Sequence, residues 1–154
     1  MKLEDEVELL RRIPLFAKID PARLKLLAFT SDRVTFDAEQ DMFHQGDMGD
    51  AAYLVLEGTA DILVDTPAGA IKVASVGKNA LVGEIAILCD VPRNATVKPK
   101  TKLEALKITK EHFLQLITDF PEMAIEIMRV LAARISATNE ELTAARRELA
   151  QIQQ

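Results

Sequence analysis

The chain has 154 residues, a net charge of −5, two histidines and a single cysteine, and nearly half of it is apolar. That is enough for one domain with a real core. The charge argues against a dedicated nucleic-acid binder, which draws on clustered Lys and Arg, and one thiol can neither close an internal disulfide nor hold an iron–sulfur cluster, which needs about four. No run approaches the roughly 20 apolar residues of a membrane span. The opening stretch, residues 1–16, is too acidic and too broken by charge for a signal peptide. A cytoplasmic protein with a reduced Cys89 is the expectation.

In chain order, residues 1–30 read as helical. Asp20-Pro21 is a helix start: the carboxylate can cap free N–H groups, and proline at the first helical position loses no hydrogen bond. Leu24, Leu27 and Ala28 then share one face. From Arg33 the period changes to two, with Val34 and Phe36 alternating with polar neighbours. Turn signals follow at Gln45-Gly46-Asp47, Gly49-Asp50, Glu57-Gly58, Pro67-Ala68-Gly69 and Val76-Gly77. Between them, Ala51–Leu56, Ile62–Val64 and Ile71–Val76 are short and apolar, and Ala95–Lys98 and Leu103–Ile108 add two further strands. This spacing predicts a mainly β fold, an antiparallel sandwich, barrel or jelly roll. The helical period returns at Phe113, Leu114, Leu116 and Ile117, breaks at Asp119-Phe120-Pro121, and then runs to the C-terminus without Gly or Pro.

The chemistry is concentrated between Leu81 and Val97. Gly83 permits a tight turn or a close approach. Glu84–Leu88 can form a helix of about one and a half turns, whose first N–H groups make an anion site. Arg93, set by Pro92, can fork onto phosphate oxygens. Glu84 then faces away from the anion and is free to accept from a sugar hydroxyl. Singly, each feature is a common structural one. Together they suit a ribose-phosphate ring.

The string Gly83-Glu84, small and apolar residues, then Pro92-Arg93-Asn94-Ala95-Thr96-Val97, resembles the phosphate-binding cassette of the cyclic-nucleotide-binding domain family, the type found in catabolite activator protein and in protein kinase A regulatory subunits. The resemblance extends to Phe43-His44-Gln45-Gly46-Asp47, to Tyr53–Gly58 and to the C-terminal helices. It implies one domain over residues 1–154: N-terminal helices (1–30), an antiparallel β-roll with the cupin-like double-stranded helix (31–108, cassette 81–97), and C-terminal helices (109–154). It also implies roles. Glu84 accepts from the ribose 2′-hydroxyl, the amides of Ile85 and Ala86 bind the cyclic phosphate, Arg93 neutralises it, and Gly83 lets the sugar approach. Asn94 and Ala95 complete the string. A hydroxyl at the position of Asn94 tends to accompany cGMP, so its absence leans the ligand towards cAMP.

Met128, Leu131, Ile135, Thr138, Leu142, Ala145, Leu149 and Ile152 recur at spacings of three and four, a heptad stripe. Either this stripe packs on the chain's own roll, or it forms a parallel homodimer as in catabolite activator protein. The alignment with that protein places Thr138 and Asn139 as base contacts reaching from the dimer helix. There the helix leads into a helix-turn-helix domain; here the sequence ends at Gln154, and no DNA binding by this chain itself is expected.

The expected function is a non-enzymatic sensor that binds cAMP or cGMP and relays occupancy to an effector protein through its C-terminal helices, with Leu81 and Ile87 as relays. A metal enzyme of the cupin type needs clustered ligands, whereas His44 and His112 lie far apart, and no metal is expected. Cys89, among apolar neighbours, reads as core. The alternatives are a ligand-free interaction module that keeps only the fold, or a regulatory piece of a larger kinase, channel or transcription factor.

Overall fold

The computed structural model describes residues 3–13, 16, 17 and 19–152. Parts of the expected N-terminal helices (Met1, Lys2, Pro14, Leu15, Lys18) and the Gln153-Gln154 end lie outside them. Two helices, α1 (Leu3–Arg11) and α2 (Pro21–Thr30), precede seven strands: β1 (Asp32–Phe36), β2 (Ala51–Glu57), β3 (Ala60–Thr66), β4 (Gly69–Val76), β5 (Leu81–Val82), β6 (Thr96–Pro99) and β7 (Leu103–Thr109). A short helix, α3 (Glu84–Leu88), sits between β5 and β6, and α4 (Lys110–Asp119) and α5 (Pro121–Ile152) close the chain. Asp20 caps α2 by accepting from the Ala22 amide at 3.2 Å, with Pro21 at the first helical position, as its sequence predicts.

The strands form two antiparallel sheets, ordered β1-β7-β2-β5 and β4-β3-β6. This is an antiparallel β-roll with flanking helices and a long C-terminal helix. Side chains alternate across a strand, and β2 uses both of its faces. Ala51, Tyr53 and Val55 point into the roll with Val82, Val97, Leu103 and Ala105. Ala52, Leu54 and Leu56 point outward into a second core with Leu24, Leu27, Ile87, Phe113, Met123 and Ile127. The helices therefore pack on the outside of the four-stranded sheet, and α3 joins them through Ile87.

Three details differ from expectation. The two-residue strand β5 was not foreseen, because Leu81-Val82 is too short to display a period; it pairs with Tyr53 and Leu54 of β2. Ala95 precedes β6 instead of opening it. The first turns of α5 do pack on the molecule's own core through Met123, Ile127 and Leu131, but Met128, Ile135, Leu142, Leu149 and Ile152 are exposed. Of the apolar residues in the heptad stripe, self-packing thus accounts for Leu131.

Candidate functional site

Gly83 caps α3 in the left-handed conformation, with φ 85°, a region open chiefly to glycine. Its carbonyl accepts from Nη1 of Arg93 at 2.7 Å, and the Ala51 carbonyl accepts from Nη2 at 2.6 Å. The guanidinium also stacks 4.1 Å above the Phe43 ring, and Asp50 Oδ1 lies 3.7 Å from Nη2. Arg93 is buried to 3% exposure, and its Nε has no hydrogen-bond partner among the described residues. Burial pulls its pKa down, opposed by Tyr53, Asp50, Asp47 and Glu84. The backbone is sewn to the preceding turn in both directions: the Arg93 amide donates to the Asp47 carbonyl and the Gly46 amide to the Arg93 carbonyl, both at 2.8 Å.

Glu84, the first residue of α3, is equally buried. Its Oε1 accepts from Nη1 of Arg134 on α5 at 2.8 Å, and Nη2 of Arg134 reaches the Leu81 carbonyl at 3.2 Å. Burial raises the Glu84 pKa; its own backbone amide and Arg134 oppose the shift. Between these groups and the concave face of the smaller sheet lies a cavity of about 280 Å³. Gly83, Glu84, Ile85, Ala86, Arg93, Asn94 and Ala95 line one side, Ile62, Val64, Val73 and Ala74 the other, and Arg134 and Thr138 reach in from α5. The buried Arg93 and the first residues of α3 thus stand across the chamber from an apolar wall, with Glu84, Arg134, Asn94 and Thr138 as its other polar lining. That arrangement can hold a monoanion whose remaining surface is flat and weakly polar.

Among the described residues no cluster of three or more His, Cys, Asp or Glu could hold a metal ion, and no helix is long and apolar enough to cross a membrane.

The family model described as the cyclic nucleotide-binding domain matches residues 33–120. The chain belongs to that family. This cyclic nucleotide-binding domain is 27% identical over 136 residues to a CRP-like cAMP-activated global transcriptional regulator of Mycobacterium tuberculosis, covering 88% of this chain and 61% of that protein. It is 30% identical over 133 residues to the cAMP-dependent protein kinase regulatory subunit of Schizosaccharomyces pombe, covering 86% of this chain but 31% of the subunit. Its fold matches the crystal structure of the Thermus thermophilus catabolite activator protein with a TM-score of 0.74 and 29% identity, over 84% of this chain and 61% of that one. The domain therefore spans about three fifths of the bacterial regulators and a third of the kinase subunit.

Against this frame, eight of the nine residues singled out from sequence meet at the cavity: Gly83, Glu84, Ile85, Ala86, Arg93, Asn94, Ala95 and Thr138. Asn139 does not; it lies on another face of α5 beside Thr143 and Arg147. One expectation is corrected in detail: the Glu84 carboxylate is not free but is taken by Arg134. Gly83 also admits the Arg93 guanidinium, which occupies the space a side chain would need. Cys89 is corrected outright: it is exposed at the C-cap of α3, not core, because the helix ends one residue earlier and turns it outward.

Sequence reasoning missed Arg134. It lies 50 residues from Glu84 and off the apolar stripe, so nothing local marks it. The apolar wall of Ile62, Val64, Val73 and Ala74 was read only as strand. Phe43 stood in the quoted motif, but its stacking on Arg93 has no sequence signal of its own.

Proposed function

We propose that this domain binds a purine cyclic mononucleotide, cAMP ahead of cGMP, and relays occupancy through α4 and α5 as a regulatory sensor. The observation that carries this reading is the nearly fully buried Arg93 cation beside the first amides of α3, across a cavity from the apolar wall of Ile62, Val64, Val73 and Ala74. A buried charge is costly unless paired, and a cyclic phosphodiester supplies one negative charge of the right size. Ile85 and Ala86 donate their amides to it. Glu84 exchanges Arg134 for the ribose 2′-hydroxyl or shares itself between them. The base lies against Ile62, Val64, Val73 and Ala74, under Thr138. Asn94 brings no hydroxyl to that end, and two relatives carry cAMP in their names, which together favour adenine.

The relay starts at Ile87, which shares the outer core with Phe113, Met123 and Ile127, and at Leu81, which packs against it. Ordering the cassette around a ligand changes that packing, and α5 follows if one arrangement binds more tightly than the other. The exposed stripe of α5 is the surface through which two copies pair, with Asn139 turned towards the base held by the other protomer. A reducing cytoplasm and a separate effector protein complete the assignment.

A second reading has one observation in its favour: both Arg93 amino groups and the Glu84 carboxylate have partners within the chain, as in a module that keeps the fold for protein contact alone. Calorimetric titration with cAMP and cGMP separates the two. The sensor reading expects saturable binding, tighter for cAMP, and its loss in Arg93→Ala, with the variant's fold checked by circular dichroism. Absence of heat with both nucleotides for the folded wild type overturns it.

A further inference from the structure

A second chamber lies on the other side of the Glu84–Arg134 pair. Its volume is about 380 Å³, within the roughly 300–1,000 Å³ range of small-molecule sites. The two residues of β5 point opposite ways, as the pleat requires: Val82 faces the cassette cavity and Leu81 the second chamber. Ile13, Leu81, Ile127, Val130 and Leu131 provide its apolar walls. Glu84 and Arg134 are the only described residues that line both chambers, so the pair is a partition and the second chamber is not an extension of the first.

The polar groups at this chamber are unevenly signed. Lys78 and Arg134 bring two positive charges and Glu84 brings one negative charge that Arg134 already satisfies. Among the described residues Lys78 has an ion pair with Glu57, 3.6 Å long and more than half exposed on both sides, which screening makes weak. Arg134 uses one amino group on Glu84 and the other on the Leu81 carbonyl, and a guanidinium has five N–H donors. Asn79, adjacent to Lys78, lies in the left-handed region at φ 73° and lines the same chamber. The lining itself therefore carries two cations to one carboxylate in a chain of net charge −5, beside its apolar walls. Apolar walls with two cations in the same lining suit an amphipathic anion, and not a sugar, a metal or a nucleotide.

We propose that this chamber is a binding site for a medium-chain monocarboxylate, its chain between α5 and Leu81 and its carboxylate at Lys78 and Arg134. The assignment does not depend on whether the cassette cavity binds a nucleotide. It needs only the chamber, its apolar walls and its cations.

The test uses the intact chain and sodium decanoate below its micelle concentration, followed by calorimetry and by two-dimensional NMR of the backbone amides. One-to-one saturable binding is expected, with shifts centred on residues 78–81 and 127–134. Val130→Trp fills the chamber from an exposed helix position and is expected to weaken binding at least tenfold. Lys78→Ala is expected to weaken it severalfold, and neutral decanol to bind more weakly than decanoate. Cyclic nucleotide titration of Val130→Trp, alongside its thermal melt, reports that the variant is folded and that the neighbouring cavity is undisturbed. Non-saturable uptake, or decanoate affinity unchanged in Val130→Trp, overturns the proposal, since the exposed stripe of α5 would then be the apolar surface responsible.

Discussion

Gly49 and Ala86 approach so closely that a β-carbon on Gly49 would stand 2.5 Å from that of Ala86. Gly49 has no positive φ, so its glycine is required by contact and not by backbone strain. The loop before β2 is thereby pressed onto α3, which carries the amides of the candidate anion site. Gly49→Ala is expected to destabilise the fold by about 1–3 kcal/mol, the usual range for overpacking, and to weaken nucleotide binding. Adding Ala86→Gly should return most of the loss, because the remaining neighbours of the new methyl, the Ala86 carbonyl carbon and Cα, lie at 3.4 and 3.5 Å. A double-mutant cycle by urea denaturation measures this; simple additivity of the two losses would refute the contact.

Gly83 makes a contrasting case. A β-carbon there would meet Nη1 of Arg93 at 2.6 Å and the Ala51 carbonyl at 3.2 Å, on a residue with φ 85°. Backbone conformation and contact both oppose a side chain, so no single second-site change relieves Gly83→Ala. The expected outcome is a loss of about 1–3 kcal/mol together with displacement of Arg93 and abolished nucleotide binding. Calorimetry on the folded variant checks the second part, and wild-type affinity there would mean the guanidinium's position is immaterial.

Burial holds the Glu84 pKa above its ordinary value of 4.5. The folded protein then binds this proton more readily than the unfolded chain, so the contribution of Glu84 is most favourable below that value and is lost as pH rises through the folded pKa. Glu84→Gln removes the titration. The stability of the variant relative to wild type should therefore improve as pH rises from the ordinary carboxylate value through the raised folded pKa, with Arg134 still held by the Leu81 carbonyl. Denaturation midpoints across that interval provide the measurement, and a constant difference at every pH would exclude Glu84 as the source.

Glu104 should act in the opposite sense. Its hydrogen bond from Arg33, 2.6 Å long, holds the carboxyl below its ordinary value. The stability it provides is present above that value and lost as pH falls through the folded pKa. Glu104→Gln is expected to flatten the acid limb of the stability profile and to leave the neutral limb's slope unchanged. A variant whose acid limb matches wild type would remove the pair from any account of acid sensitivity.

The apolar stripe of α5 predicts a specific assembly. Ile135→Glu with Leu142→Glu places charges at two exposed seam positions and should convert a dimer to a monomer in sedimentation equilibrium without altering the melt of the β-roll. A wild-type chain that sediments as a monomer at all accessible concentrations would leave the stripe unpaired in solution.

Most of the architecture is legible in the sequence. Turn residues delimited β2, β3 and β4, alternation marked β1, and the Asp20-Pro21 and Asp119-Phe120-Pro121 breaks delimited helices, because caps and turns are local and leave local marks. The cassette string likewise brought Gly83, Glu84, Arg93 and their neighbours to one place. What could not be read were relationships across distance. Arg134 finds Glu84 only because α5 folds back over β5. Cys89 looks apolar by its neighbours, yet whether it faces the core depends on where a one-and-a-half-turn helix stops. That correction is itself testable: the native protein should react with one equivalent of a thiol reagent about as fast as the urea-unfolded chain, whereas a core thiol would be protected.

Strand β2 is one peptide thick, yet its residues belong alternately to two different interiors. The Ala51 carbonyl anchors the Arg93 guanidinium, while the very next side chain, Ala52, abuts the packed helices. The anchorage of the arginine and the footing of the helices are thus neighbouring residues of one strand, as two rooms share a single wall.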